Sequence, residues 1–160
     1  MSSVLLPAGL CVDNAGVAFG RWREGGNPIL RMRFPYVVVT AGYCAIIFYL
    51  SSLEDVPVPG LDIPGMDKVM HAVLYGGLAA TVWHGLRRSN ETVNRGLLFA
   101  VPMIFALLYG LSDEYHQLHV PGRAFDWLDC VADGVGAAMA PAGLNYWDSK
   151  RSGGESAADS

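Results

Sequence analysis

The run FPYVVVTAGYCAIIFYLSSL, Phe34 to Leu53, is twenty residues long and carries no charge. A helix rises about 1.5 Å per residue, so roughly twenty residues span the hydrocarbon of a bilayer. This run therefore reads as a transmembrane helix, and the rest of the chain repeats its character. Val69 to Leu86 and Gly96 to Ser112 contain no acid, Lys or Arg. Each reaches spanning length once the polar residues at its ends lie in the interface. A fourth segment, Asp126 to Trp147, opens with Asp126, Asp129 and Asp133 and is largely apolar from Gly134 onward. A soluble core helix would account for any one of these runs, but four in succession joined by short polar loops point to lipid. The expected fold is all-α, an integral membrane four-helix bundle.

Composition agrees. In 160 residues there is room for one domain. Hydrophobic residues make up 52% and charged residues 16%, against about 25% charged in an ordinary soluble domain. A net charge of -4, with no basic patch interleaved with aromatics, excludes a nucleic-acid binder. Cys11, Cys44 and Cys130 are scattered and form no CxxC, so they read as apolar fillers, not as a disulfide framework or thiolate metal site. Ala8-Gly9-Leu10-Cys11 has Leu10 where a lipoprotein cleavage site needs a small residue, and no basic residue precedes it.

The cations set the orientation. Arg21, Arg23, Arg31 and Arg33 precede the first span, Arg87, Arg88 and Arg95 lie between the second and third, and Lys150 and Arg151 follow the fourth. Lys68 and Arg123 occupy the other two loops. Lys and Arg accumulate on the cytoplasmic side, so both termini are expected inside a multi-pass inner (cytoplasmic) membrane protein, with loops 54–68 and 113–126 outside. Trp22, Trp83 and Trp147 near span ends fit an interfacial belt. Residues 1–33 form an N-terminal arm without periodicity, and Met32 is an alternative start that would make the arm dispensable. Residues 34–148 form the bundle, and 149–160, rich in Ser, Gly and Ala, are expected to be a disordered cytoplasmic tail. Small-xxx-small spacings in the second and fourth spans, around Gly76 and Gly136, would let helix backbones approach closely. Pro102 and Pro141 are candidate kinks.

The polar residues follow helical register. Asp67, His71 and Tyr75 are four apart, as are Asp113 and Gln117, and Asp126, Asp129 and Asp133 share a face of the fourth span. All lie at the outer end, with Glu114, Lys68 and Arg123 beside them. Singly, most have ordinary explanations: Asp126 as a helix cap, His71 as a packed histidine, Tyr75 as an interfacial ring. Asp129 and Asp133 resist them, because a carboxylate deep in a span costs up to about 2.5–3.5 kcal/mol. Arg123 is the expected partner of Asp129. The candidate ligand-binding set is Asp67, Lys68, His71, Tyr75, Asp113, Glu114, Gln117, Arg123, Asp129 and Asp133.

These residues carry a resemblance to a known family. Asp67-Lys68, His71 and Tyr75 form one block, Ser112-Asp113-Glu114, His116 and Gln117 a second, and Pro121-Gly122-Arg123, Asp129, Asp133 and Gly136 a third. With Ser51 and Ser52, they resemble the VanZ-like membrane proteins, named for a teicoplanin-resistance protein, over roughly residues 36 to 147. Asp133 stands where many members carry Asn. The resemblance implies a bacterial or archaeal membrane protein, with an antibiotic-resistance link to glycopeptides in some members, and it implies no established reaction.

Three functions compete. In the first, a cell-envelope protein binds a lipid head group or lipid-linked cell-wall precursor, with Lys68 and Arg123 on phosphate and the carboxylates and Gln117 on sugar or peptide groups. In the second, an intramembrane enzyme uses Asp113 or Glu114 as base, Arg123 as clamp and His71 or His116 as proton relay. Its Asp/Glu/His groups would be able to hold Mg²⁺ or Mn²⁺, although the sequence assigns no metal ligand set and names no cofactor. No HExxH or GxSxG is present. The third is a small proton- or ion-coupled transporter, for which four helices require oligomerisation. The expected partners are the bilayer and such a lipid precursor, not nucleic acid.

Overall fold

A computed structural model describes residues 11–12, 18–19, 32–53, 65–90 and 93–158, with 11–12, 18–19 and 152–158 described as backbone alone. Four helices make the fold: α1 Phe34–Ser51, α2 Met66–Ser89, α3 Arg95–Gln117 and α4 Trp127–Ala158. In the arm, Cys11–Val12 and Ala18–Phe19 form a two-residue antiparallel ladder that adds no layer. The rest of residues 1–31, with Trp22, Arg21, Arg23 and Arg31, lies outside the described residues, as does most of loop 54–68.

Local sequence sets the helix ends. Pro35 in the first turn of α1 suits a position whose N–H needs no helical partner. Gly65, at φ 82, turns the chain into α2 through a left-handed conformation. Asp67 in the first turn of that helix and Arg87 and Arg88 in its last complement the helix dipole. The Asn94 side chain caps α3 by accepting from the Leu97 N–H at 3.1 Å. Asp126 does the same for α4, its Oδ1 accepting from the Leu128 N–H at 2.8 Å. Pro102 and Pro141 are both buried inside continuous helices.

The helices run alternately up and down. One end gathers the close of α1, the start of α2, the close of α3 and the start of α4, as the bonds Ser52–His116 and Lys68–Asp126 show. At the opposite end the Arg33 N–H donates to Ser89 Oγ at 2.8 Å, Asn145 Nδ2 donates to the Arg95 carbonyl at 3.2 Å, and Arg87 pairs with Asp148 at 3.1 Å. α1 packs on α2 and α3, and α4 packs on the same two. The expected close approach of small residues falls where α2 crosses α4. A Cβ added to Gly136 would collide with the Ala72 carbonyl oxygen, and one at Gly76 would sit 3.2 Å from the Gly136 oxygen. Two apolar cores follow from this crossing toward the opposite end, one around Ile47, Tyr75, Leu78, Ala106 and Ala137, the other around Val82, Trp83, Leu86 and Leu98.

Met32 and Arg33, the last residues of the arm, contact the bundle: Met32 packs partly buried on the second core, and the Arg33 N–H donates to Ser89 Oγ. At the other terminus α4 runs to Ala158, into the segment expected from sequence to form a tail. Once α4 is formed, each added residue gains a hydrogen bond without a new nucleation cost, so even a Ser/Gly-rich continuation can follow it.

Among the described residues two helices, α1 and α3, are long and apolar enough to cross a membrane. Their apolar windows are only 17% and 28% buried inside the protein, whereas the core helix of a soluble domain is mostly covered. The outer surface carries Val37, Val38, Ile46 and Phe48 of α1, Ile104 and Leu108 of α3, and a stripe on α4 through Trp127, Val131, Val135 and Met139. The interior, by contrast, holds Asp113, Glu114, Gln117, Asp129 and Asp133.

Candidate functional site

The crossing at Gly136 brings the start of α2 against the start of α4, and α3 closes the space from the third side. Asp133 lies on α4 where α3 offers Gly110, and a Cβ there would come within 2.7 Å of Asp133 Oδ2. The absent side chain makes room for the carboxylate. Asp133 is 1% exposed and Glu114 0%.

Bonds within this end form two chains. Lys68 Nζ meets three carboxylates, Asp67 at 2.9 Å, Asp129 Oδ1 at 2.8 Å and Asp126 Oδ2 at 2.5 Å. The hydrogen bond from this ammonium holds the Asp126 carboxyl below the usual carboxylate range. His71 Nδ1 lies 3.0 Å from Asp133 Oδ1, and its Nε2 faces Asp129 Oδ2 at 4.0 Å. Glu114 Oε2 accepts the Asp126 backbone N–H at 3.0 Å and thereby ties α3 to the cap of α4. Gln117 Nε2 lies 3.5 Å from Asp113 Oδ2, one turn apart on α3. Tyr75 is buried, its ring 6.1 Å from that of His71 along the α2 face. Glu114 Oε1, Asp133 Oδ2 and the Tyr75 hydroxyl are buried and have no hydrogen-bond partner among the described residues. One ligand atom each from His71, Glu114 and Asp129 lies within 4.8 Å of the others.

Sequence spacing thus located most of the cluster but mispaired its cations. Arg123 does not hold Asp129. The helix begins only at Trp127, so Arg123 stays in the turn made at Gly122 (φ 81), and its Nε donates at 3.4 Å to the Leu53 carbonyl at the end of α1. Lys68 takes Asp129 in its place. His116, named as a proton relay, faces away from the acids: its Nε2 meets Ser52 Oγ at 3.0 Å and its ring lies 4.6 Å from that of Phe48.

The opposite end holds a cleft that spacing did not reveal. About 790 Å³ in volume, it is lined by Arg33, Arg87, Arg88 and Arg151 together with Trp83 and Trp147. The arginine clustering was visible in the sequence, where it served only to orient the chain.

No curated protein and no solved structure matches this chain. The VanZ/LLP1 family model matches residues 27–144. The match starts before residue 36 and so takes in part of the arm, and it contains every residue of the acidic cluster. Since it covers well over half of the sequence, the chain belongs to the VanZ/LLP1 family.

Proposed function

We propose that this VanZ/LLP1 protein crosses the cell membrane four times with both termini cytoplasmic, and binds a lipid head group or lipid-linked cell-wall precursor at its outward end. The observation that carries this is the inverted burial. Carboxylates lie inside the bundle at one end, while Val, Ile, Phe and Trp side chains cover its outside. In water such a surface would aggregate, and in lipid it is the stable arrangement. Buried carboxylates, unless paired or protonated, require a polar ligand or a cation.

The bonding pattern refines what the head group would touch. Lys68 is committed to three carboxylates, which leaves Arg123 as the cation best placed for a phosphate at the rim. The inner groups, Asp113, Glu114, Gln117 and Asp133, suit hydroxyl or amine donors such as those of sugars and peptides. An effect on glycopeptide (teicoplanin) susceptibility would follow if the bound lipid is the antibiotic's target or its precursor.

The test is mass spectrometry of lipids that co-purify with the wild type and with Arg123→Ala. One phosphate-bearing lipid should be enriched over the bulk membrane in the wild type and fall several-fold in the variant, at equal protein yield. A wild type that carries only bulk lipid would end the proposal. The enzyme reading has one observation in its favour, the His71–Asp133 pair beside a fully buried Glu114, which resembles an acid–base arrangement. A chemically altered lipid appearing only with intact His71 and Glu114 would select it.

A further inference from the structure

Each of three side chains at the acidic end has one polar atom anchored and a second left over. His71 Nδ1 bonds Asp133, Asp129 Oδ1 pairs with the Lys68 ammonium, and Glu114 Oε2 accepts the Asp126 N–H. The atoms that remain are His71 Nε2, Asp129 Oδ2 and Glu114 Oε1. Of these, Glu114 Oε1 is buried and has no partner among the described residues, on a side chain that is 0% exposed. We propose that these three residues bind a divalent transition-metal ion of the Zn²⁺ or Mn²⁺ class, one per chain.

Three lines of geometry and charge support the site. Ligand atoms about 2.0–2.2 Å from a zinc ion sit about 3–4 Å from one another, and His71 Nε2 and Asp129 Oδ2 are 4.0 Å apart. All three residues offer an atom within 4.8 Å of the others, so a contraction of about 1–2 Å at the widest pair closes the set. A histidine whose far nitrogen is held by a carboxylate is the usual form of a metal-bound imidazole, because that bond fixes the ring and raises its basicity. Asp133 plays that part here, with Gly110 leaving room for it.

Charge points the same way. Asp113, Glu114, Asp129 and Asp133 are buried together. Among the described residues the Lys68 ammonium meets one of them, Asp129, and is already shared with Asp67 and Asp126. An uncompensated carboxylate in such a place must be protonated or coordinated. One nitrogen and two oxygen ligands favour Zn²⁺ or Mn²⁺ over Mg²⁺, which prefers oxygen alone. Three protein ligands leave a position open, and an ion there supplies the positive charge that a phosphate would need among these acids. Only this last consequence rests on the head-group reading.

The test uses the full chain in detergent, stripped with a chelator and dialysed against Zn²⁺, Mn²⁺ or Mg²⁺ without added lipid, with metal content read by elemental mass spectrometry. One Zn²⁺ per chain is expected, with Zn²⁺ tighter than Mn²⁺ and Mg²⁺ weakest. His71→Asn and Glu114→Gln should each weaken binding at least tenfold. Asp133→Asn should weaken it by about 10–100-fold, and His84→Asn, at the other end of the bundle, should change nothing. As a check independent of any variant's folding, pulsed electron paramagnetic resonance of the Mn²⁺-loaded wild type should show one imidazole nitrogen coupled to the ion. No binding up to millimolar metal, binding unchanged in both ligand variants, or no coupled nitrogen would each overturn the site. A chain that binds metal but enriches no lipid sinks the head-group reading alone, and the converse sinks the metal site alone.

Discussion

The acidic and basic ends of this bundle hold their charges in opposite ways. At the acidic end Asp113, Glu114, Asp129 and Asp133 are buried, and Lys68 pairs with Asp129 and with the more exposed Asp67 and Asp126. At the basic end Arg33, Arg87, Arg88 and Arg151 ring an open cleft, and the Arg87–Asp148 pair is a quarter to a third exposed. Charge around an open, wet cleft is inexpensive and is readily explained by orientation in the membrane. Charge held inside is costly and needs a compensating partner, so it marks the end where ligand chemistry is to be sought.

The contrast would break most completely if the helix crossing beneath the acidic end were forced apart. Gly136→Val places side-chain atoms on the Ala72 backbone, which cannot swing away as a side chain can. Overpacking costs about 1–3 kcal/mol and occasionally more, most where backbone must move, and the variant should largely fail to accumulate in membranes by immunoblot. A normal level would mean that α2 and α4 do not cross there.

A paired comparison probes the two ends directly. Lys68→Met leaves Asp129 without its cation, a loss of about 3 kcal/mol for a largely buried group. Arg87→Met removes a partly exposed pair worth about 1 kcal/mol or less. Thermal unfolding in detergent should therefore show the Lys68 variant several degrees below the Arg87 variant, and equal shifts would erase the distinction between the ends.

Orientation can be sharpened without touching stability. A reporter fused after Pro121 should behave as exported, and one fused after Asn90 as cytoplasmic, because nine of the eleven basic residues fall on the latter side of the proposed spans. An exported reporter after Asn90 would invert the assignment of inside and outside to the basic and acidic ends. The smallest effect belongs to Arg123→Ala. With one long bond, 3.4 Å to a carbonyl, it should change the unfolding midpoint by no more than about 0.5 kcal/mol allows. A collapse of the protein would restore the Arg123–Asp129 pairing expected from sequence.

Three helices were legible from charge-free length, the fourth from the apolar run after Gly134, and the family from the DK..H...Y and DE..Q...PGR patterns, because hydrophobic runs and motif spacing are local properties of the chain. That Asp113, Glu114, Asp129 and Asp133 would lie at one end also followed from register, since residues four apart share a helix face. Which cation met which carboxylate did not follow. Arg123 and Asp129 are close in sequence, but the turn at Gly122 and a helix start at Trp127 separate them, while Lys68, far away in the chain, arrives through the α2–α4 crossing. The space for Asp133 was equally hidden, because it depends on Gly110 of a different helix. Sequence alone determined the elements and the end of the bundle where polar groups collect, through periodicities a few residues long. Only tertiary structure decided the pairings and the unpartnered atoms of the site, since these depend on how closely two helices approach, a distance set by side chains far apart in the chain.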